Sequence, residues 1–128
     1  MSNSNKKILL VEDDPDLLFL MKKKLTDEHI FEVITAETGQ QALELINSQP
    51  PDLILLDILL PDIDGMTILN DISSRPETKN IPVIILSNLA DQGAFEQVAA
   101  IGHYEYLIKA KTELQEVVKK IKIRLNIN

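Results

Sequence analysis

Short apolar runs recur along the chain, and four of them stop at a polar residue. Ile8-Leu9-Leu10-Val11 runs into Glu12-Asp13-Asp14, Leu53-Ile54-Leu55-Leu56 into Asp57, Val83-Ile84-Ile85-Leu86 into Ser87, and Tyr106-Leu107-Ile108 into Lys109. Runs this short and this continuously apolar predict strands buried on both faces. Phe31 to Thr35 reads as a further strand, and the last strand is expected from Tyr104 to Ile108. The intervening segments carry apolar residues at helical spacing. Asp14-Pro15-Asp16 opens the first helix with a capping Asp and a Pro just inside, followed by Leu17, Leu18, Leu20, Met21 and Leu25. Lys22, Lys23 and Lys24 lie toward the negative end of its dipole.

Thr38-Gly39-Gln40-Gln41 opens a second helix carrying Ala42, Leu43, Leu45 and Ile46, and Pro50-Pro51 stops it. A third is expected from about Met66 to Ser74, after the loop Pro61-Asp62-Ile63-Asp64-Gly65. A fourth is expected over Asp91 to Ala100, with Gly102 as its stop, and a last one from Thr112 to about Leu125. Strand and helix thus alternate five times without linker, repeat or low-complexity stretch. The pattern predicts one α/β domain over residues 1–128, with a parallel sheet and helices on both faces. Residues 1–5 and 126–128 are expected to be flexible ends.

Composition narrows the function classes. The chain has 128 residues, enough for one compact domain and short for two. It contains no Cys, which excludes disulfides, a thiol nucleophile and thiolate metal sites and fits a reducing, cytoplasmic location. The polar start Met1-Ser2-Asn3-Ser4-Asn5-Lys6-Lys7 is no signal peptide, and no apolar stretch approaches the ~20 residues of a membrane span. A formal charge of −7 disfavours direct nucleic-acid binding.

Every polar strand end lies on one edge of a parallel sheet, where doubly wound folds place their sites. In the flavodoxin-like order 2-1-3-4-5, Glu12, Asp13 and Asp57 converge in the crevice between the first and third strands. Two unit charges ~4 Å apart repel by about 4 kcal/mol at an effective dielectric near 20, so three carboxylates need a counter-charge. Lys109 supplies one, and an oxygen-only donor set suits Mg²⁺ better than Zn²⁺. With the hydroxyl of Ser87, the set points to metal-assisted chemistry on a phosphoryl group. Asp14 reads as an ordinary helix cap. His29 and His103 are read as surface-loop residues, since neither has a second His at metal spacing.

The chain from Lys6 to the last helix resembles the receiver domain of two-component response regulators. The matching segments are Val11-Glu12-Asp13-Asp14, Leu56-Asp57, Leu60-Pro61-Asp62-Ile63-Asp64-Gly65, Leu86-Ser87 and Tyr104-Glu105-Tyr106-Leu107-Ile108-Lys109. The resemblance implies that Asp57 accepts a phosphoryl group from the phosphohistidine of a sensor histidine kinase or phosphotransfer protein. Asp13, Asp57 and the backbone carbonyl of Leu59 would ligate Mg²⁺, and Glu12 would hold metal-bound water. Lys109 would stabilise charge on the transferring oxygens, and Ser87 would donate to one of them after transfer. Ser87 and Tyr106 would form a switch that reshapes a partner-binding face. Tyr106 also has a plainer reading as an amphipathic strand aromatic. The implied protein is no turnover enzyme; it acts on an unidentified downstream protein, as a monomer or a phosphorylation-dependent dimer.

Several positions depart from the common family pattern. Ala110 follows Lys109 where a cis-Pro is usual, and a cis bond before a non-proline residue costs about 3–4 kcal/mol, so a trans bond and a re-routed loop are expected. Asn88 stands where a small residue is usual and is expected to narrow access to Asp57. Leu59 and Leu89 are apolar where polar residues can position attacking water, which predicts a long-lived acyl phosphate.

Three other readings are weaker. A haloacid-dehalogenase-type phosphatase needs a second Asp where Leu59 stands. A flavodoxin needs a phosphate loop where Glu12-Asp13-Asp14-Pro15 stands, and those carboxylates repel phosphate without a metal. A pseudo-receiver that never takes phosphate has no need of an intact Glu12, Asp13, Asp57, Ser87 and Lys109 set. The short tail Asn126-Ile127-Asn128 modestly favours a single-domain regulator over a fragment of a longer one.

Overall fold

The computed structural model describes residues 5–127. Five parallel strands, β1 (Lys6–Val11), β2 (Phe31–Ala36), β3 (Leu53–Leu56), β4 (Val83–Ser87) and β5 (Glu105–Ile108), form one sheet in the order β2-β1-β3-β4-β5. The helices are α1 (Pro15–Thr26), α2 (Gly39–Ser48), α3 (Gly65–Ser74), α4 (Gln92–Ile101) and α5 (Leu114–Arg124). This is the (βα)5 flavodoxin-like fold: the hydrophobic pattern predicted the parallel α/β sheet, and the strand order is the 2-1-3-4-5 order on which the convergence of Glu12, Asp13 and Asp57 depends.

Side chains on successive strand residues point to opposite faces, so each buried strand serves two cores. On one face Ile8, Leu10, Leu53, Leu55, Ile84 and Leu86 pack with Leu18, Met21 and Leu25 of α1 and Val117, Val118 and Ile121 of α5. On the other, Leu9, Val11, Ile54, Leu56, Val83 and Ile85 pack with apolar residues of α2, α3 and α4. All four residues of β3 are buried, and all four of β5 only partly so, as suits a central and an edge strand. The core therefore holds the ends of β1, β3 and β4 rigidly at the carboxyl edge.

The elements depart from the expected ones mainly in the last connection. A 3-10 turn occupies Lys109–Lys111, and α5 begins at Leu114 rather than Thr112. Gly102 ends α4 in an extended conformation, with its N–H donating to the Val98 carbonyl, so it stops the helix without a left-handed turn. The expectation of loose ends at 1–4 and 128 lies outside the described residues. Of the remainder, Ile127 donates its N–H to the Lys122 carbonyl at 2.8 Å and packs against the α1/α5 core.

Candidate functional site

The sheet register brings the site together. Val11 pairs with Leu56, so the next residues, Glu12 and Asp57, leave adjacent strands side by side. Their backbones stay in the ladder: the N–H of Asp57 donates to the Val11 carbonyl, and that of Glu12 to Ala36, both at 3.0 Å. Glu12 and Asp57 are each only 3% exposed, and Asp13 beside them is exposed.

Such carboxylates need partners in a low-dielectric site. Asp57 accepts the N–H of Leu59 on Oδ1 at 3.0 Å, and Lys109 Nζ on Oδ2 at 2.5 Å. Glu12 accepts the N–H of Asp14 on Oε2 at 2.9 Å and the same Lys109 ammonium on Oε1 at 2.7 Å. One cation thus bridges two buried carboxylates. Burial raises the Glu12 carboxyl above its ordinary value despite the Lys109 bond. For Lys109, burial alone would lower the ammonium, but the bonds to Asp57 and Glu12 outweigh it and hold the group above its ordinary value.

Carboxylate oxygens of Glu12, Asp13 and Asp57 lie within 4.8 Å of one another. The donors are all hard oxygens, one of the three residues is open to solvent, and Lys109 offsets only one of three negative charges. The set fits a small, hard divalent cation such as Mg²⁺.

Helix caps hold the surrounding loops. Asp14 caps α1 as expected, accepting from the N–H groups of Asp16 at 3.0 Å and Leu17 at 3.4 Å. Asp64 caps α3 through the Met66 N–H at 2.9 Å. Gly65 follows because α3 starts against the strand end: a Cβ there would lie 2.5 Å from the Ile58 Cα and 3.0 Å from the Asp57 carbonyl oxygen.

Ser87 ends β4 with no exposure, and its Oγ accepts the Leu89 N–H at 3.2 Å. The Leu89 carbonyl in turn accepts the hydroxyl of Tyr106, whose ring meets Phe95 edge-on at 4.8 Å between centroids. One peptide-bonded residue, Leu89, therefore links the serine and the tyrosine. Burial, with Asp91 and Asp57 nearby, raises the Tyr106 hydroxyl above its ordinary value, so it stays a donor at neutral pH. The Lys109–Ala110 bond is trans, since no cis bond occurs among the described residues. Leu59 is 51% exposed beside Asp57, and His29 and His103 sit exposed in loops.

Besides the bridging of Glu12 by Lys109, the sequence pattern does not mark two further ties. Asp62, read only as a loop residue, accepts the N–H groups of Gly39 at 2.7 Å and Gln40 at 3.0 Å at the start of α2. Those bonds hold its carboxyl below the ordinary range. Asn88 accepts the Ala110 N–H on Oδ1 at 2.9 Å. An Asp in a loop after a strand was the only signal for the first; nothing local marks the second.

The model of the response regulator receiver domain matches residues 8–122. The chain belongs to that family. The response regulator PleD of Caulobacter vibrioides is 36% identical over 80% of this receiver domain, which spans only 22% of PleD. A putative response regulator from Chloroflexus aurantiacus superposes with a TM-score of 0.81 at 33% identity, over 95% of this chain and 98% of that one. A CheY-like receiver domain protein from Methanospirillum hungatei gives 0.87 at 30% identity, over 96% and 95%. A receiver domain takes phosphate onto itself rather than turning over an external substrate, and its partners in two-component signalling are kinases or phosphotransfer proteins. The clustered Glu12, Asp13 and Asp57 agree with the phospho-acceptor site of the family. No described helix is long and apolar enough to cross a membrane.

Proposed function

We propose that Asp57 is the phospho-acceptor, taking a phosphoryl group from the phosphohistidine of a histidine kinase or phosphotransfer protein. The observation that carries this is the Asp57 carboxylate itself. It is buried at the end of the central strand, bonded by Lys109 at 2.5 Å, with Glu12 and Asp13 oxygens close by. A carboxylate oxygen attacks phosphorus as the phosphorus–nitrogen bond breaks, and that electron pair returns to the imidazole ring. Lys109 already lies on the nucleophile and is placed to follow negative charge onto the phosphoryl oxygens.

Glu12, Asp13, Asp57 and the Leu59 carbonyl are the residues to hold Mg²⁺, which when bound neutralises charge on the transferring group. The Leu59 N–H orients Asp57 through Oδ1. Ser87 has its oxygen engaged by Leu89 and its hydroxyl proton free for a phosphoryl oxygen. Any pull on Ser87 then reaches Leu89, and through the Leu89 carbonyl reaches Tyr106 and the α4–β5 surface, where a downstream protein reads the state. The domain works in the cytoplasm and binds no nucleic acid directly.

The test is intact mass after incubation with Mg²⁺ and phosphoramidate, wild type against Asp57→Asn. One phosphoryl adduct in wild type and none in the variant is the expected result. An unmodified wild type, or an adduct that persists in Asp57→Asn, removes Asp57 from its role.

A further inference from the structure

Lys109 opens a 3-10 turn that cannot satisfy its own first peptide groups. The residue before it, Ile108, provides no side-chain cap, and the first N–H groups of any helical turn lack partners within it. The N–H of Ala110 finds its acceptor 22 residues away, in the side-chain Oδ1 of Asn88 at 2.9 Å. Chemistry fixes which end of the carboxamide faces in, because the NH₂ group has nothing with which to accept a peptide N–H. Sheet register explains the reach. The β4/β5 ladder ends at Ser87 opposite Ile108, and the Asn88 side chain adds one rung beyond the last backbone pair. Thr112 closes the other flank, with Oγ1 donating to the Ile108 carbonyl at 2.8 Å and its N–H to the Lys109 carbonyl at 3.3 Å. The backbone of Lys109 is therefore held from both sides while its ammonium reaches Asp57 and Glu12.

We infer that Asn88 is a positioning residue for Lys109: it clasps the loop after β4 to the turn after β5 and so sets the ammonium on Asp57. The clasp joins the neighbour of Ser87 to the neighbour of Lys109. Those are the two groups that the proposed phosphotransfer places around the phosphoryl oxygens, and the inference rests on that reading. The bond needs an N–H at position 110 and a carbonyl at 88. A proline at 110 has no N–H, and a small aliphatic residue at 88 has no acceptor. Two of the positions that set this chain apart thus supply each other's partner.

Bulk and bonding at Asn88 separate cleanly in two variants. Asn88→Ala removes both; Asn88→Leu keeps the bulk and removes the acceptor. Three quantities are read: hydrogen exchange of the Ala110 amide, the Lys109 ammonium signal in ¹⁵N spectra, and the rate of phosphorylation by phosphoramidate with Mg²⁺. A clasp makes the Ala110 amide exchange about tenfold faster in both variants, as loss of a single bond implies. It also broadens the Lys109 signal and slows phosphorylation about three- to tenfold in both. Faster phosphorylation in Asn88→Ala with wild-type behaviour in Asn88→Leu overturns the inference, leaving Asn88 as mere obstruction. A fast-exchanging Ala110 amide in wild type overturns the clasp itself, whatever the rates. A wild type that takes no phosphate fails the phosphotransfer reading, and the positioning role falls with it even if the amide is protected.

Discussion

The two halves of the site are built differently. On the β1–β3 side, the polar side chains of the site itself mostly bond to their own neighbourhood: Glu12 to the Asp14 N–H, Asp57 to the Leu59 N–H, Asp14 and Asp64 to the helix starts that follow them. The Asp62 tie to the start of α2 is the long-range exception. On the β4–β5 side the defining contacts join distant parts of the chain. Tyr106 reaches Leu89 across 17 residues, Ala110 reaches Asn88 across 22, and Lys109 reaches Asp57 across 52. Short-range bonds form with the elements that carry them, so the first half is a fixed platform. Long-range ties can break without unfolding a strand or helix, so the second half is where two arrangements can lie close in energy.

Several changes would break or sharpen that contrast. The largest effect is expected where the halves meet. Lys109→Met leaves two buried carboxylates without their cation and should destabilise the domain by about 3–5 kcal/mol at pH 8, read from urea unfolding. The loss should shrink as pH falls, because burial holds the Glu12 carboxyl above its ordinary value and a proton there removes one of the two uncompensated charges. In wild type, the Lys109 contribution is complete below the ordinary lysine value of 10.5 and is lost as pH rises through its higher folded-state value. The variant should show no such alkaline component.

Gly65→Ala tests the platform itself. The added Cβ meets backbone at 2.5 Å, which cannot yield as a side chain would, so a loss of about 3 kcal/mol is expected in the same assay. A near-neutral result would mean the platform is softer than its bonds imply. Mg²⁺ at a hundredfold excess over its dissociation constant should stabilise wild type by about 2.7 kcal/mol. EDTA should reverse that gain, and Asp13→Asn should blunt it. Smallest is Tyr106→Phe, which keeps the ring against Phe95 and loses the bond to Leu89. It should cost about 1 kcal/mol, and the Leu89 amide should shift in NMR spectra while those of Leu59 and Asp14 stay in place.

The same contrast governs what the amino-acid pattern disclosed. Apolar runs four residues long announced β1, β3 and β4, and Asp14-Pro15 announced α1, because burial and capping act over a few positions. The placement of Glu12, Asp57 and Ser87 at strand ends was legible because each follows such a run, as Lys109 follows the shorter run of β5 and Asp13 sits next to Glu12. The bridging of Glu12 by Lys109, the Asp62 bonds at the start of α2 and the Asn88–Ala110 bond were not. Each joins loops whose separation depends on strand order and register, and no local propensity encodes that. The start of α5 at Leu114 rather than Thr112 has a related reason. Thr112 resembles a helix opener, but its hydroxyl is spent on the Ile108 carbonyl, closing the 3-10 turn instead.

Leu59, half in solvent beside Asp57, bears on time rather than place. Leu59 and Leu89 line one cleft, so on the proposed phosphotransfer they would put hydrocarbon where polar side chains could otherwise guide a hydrolytic water. A phosphoryl group that leaves slowly turns the occupancy of Asp57 into a running average of kinase output. Such a domain registers weak but sustained stimulation, and blurs brief pulses into a steady level. On the proposed phosphotransfer, how quickly the signal fades would be set by two leucines.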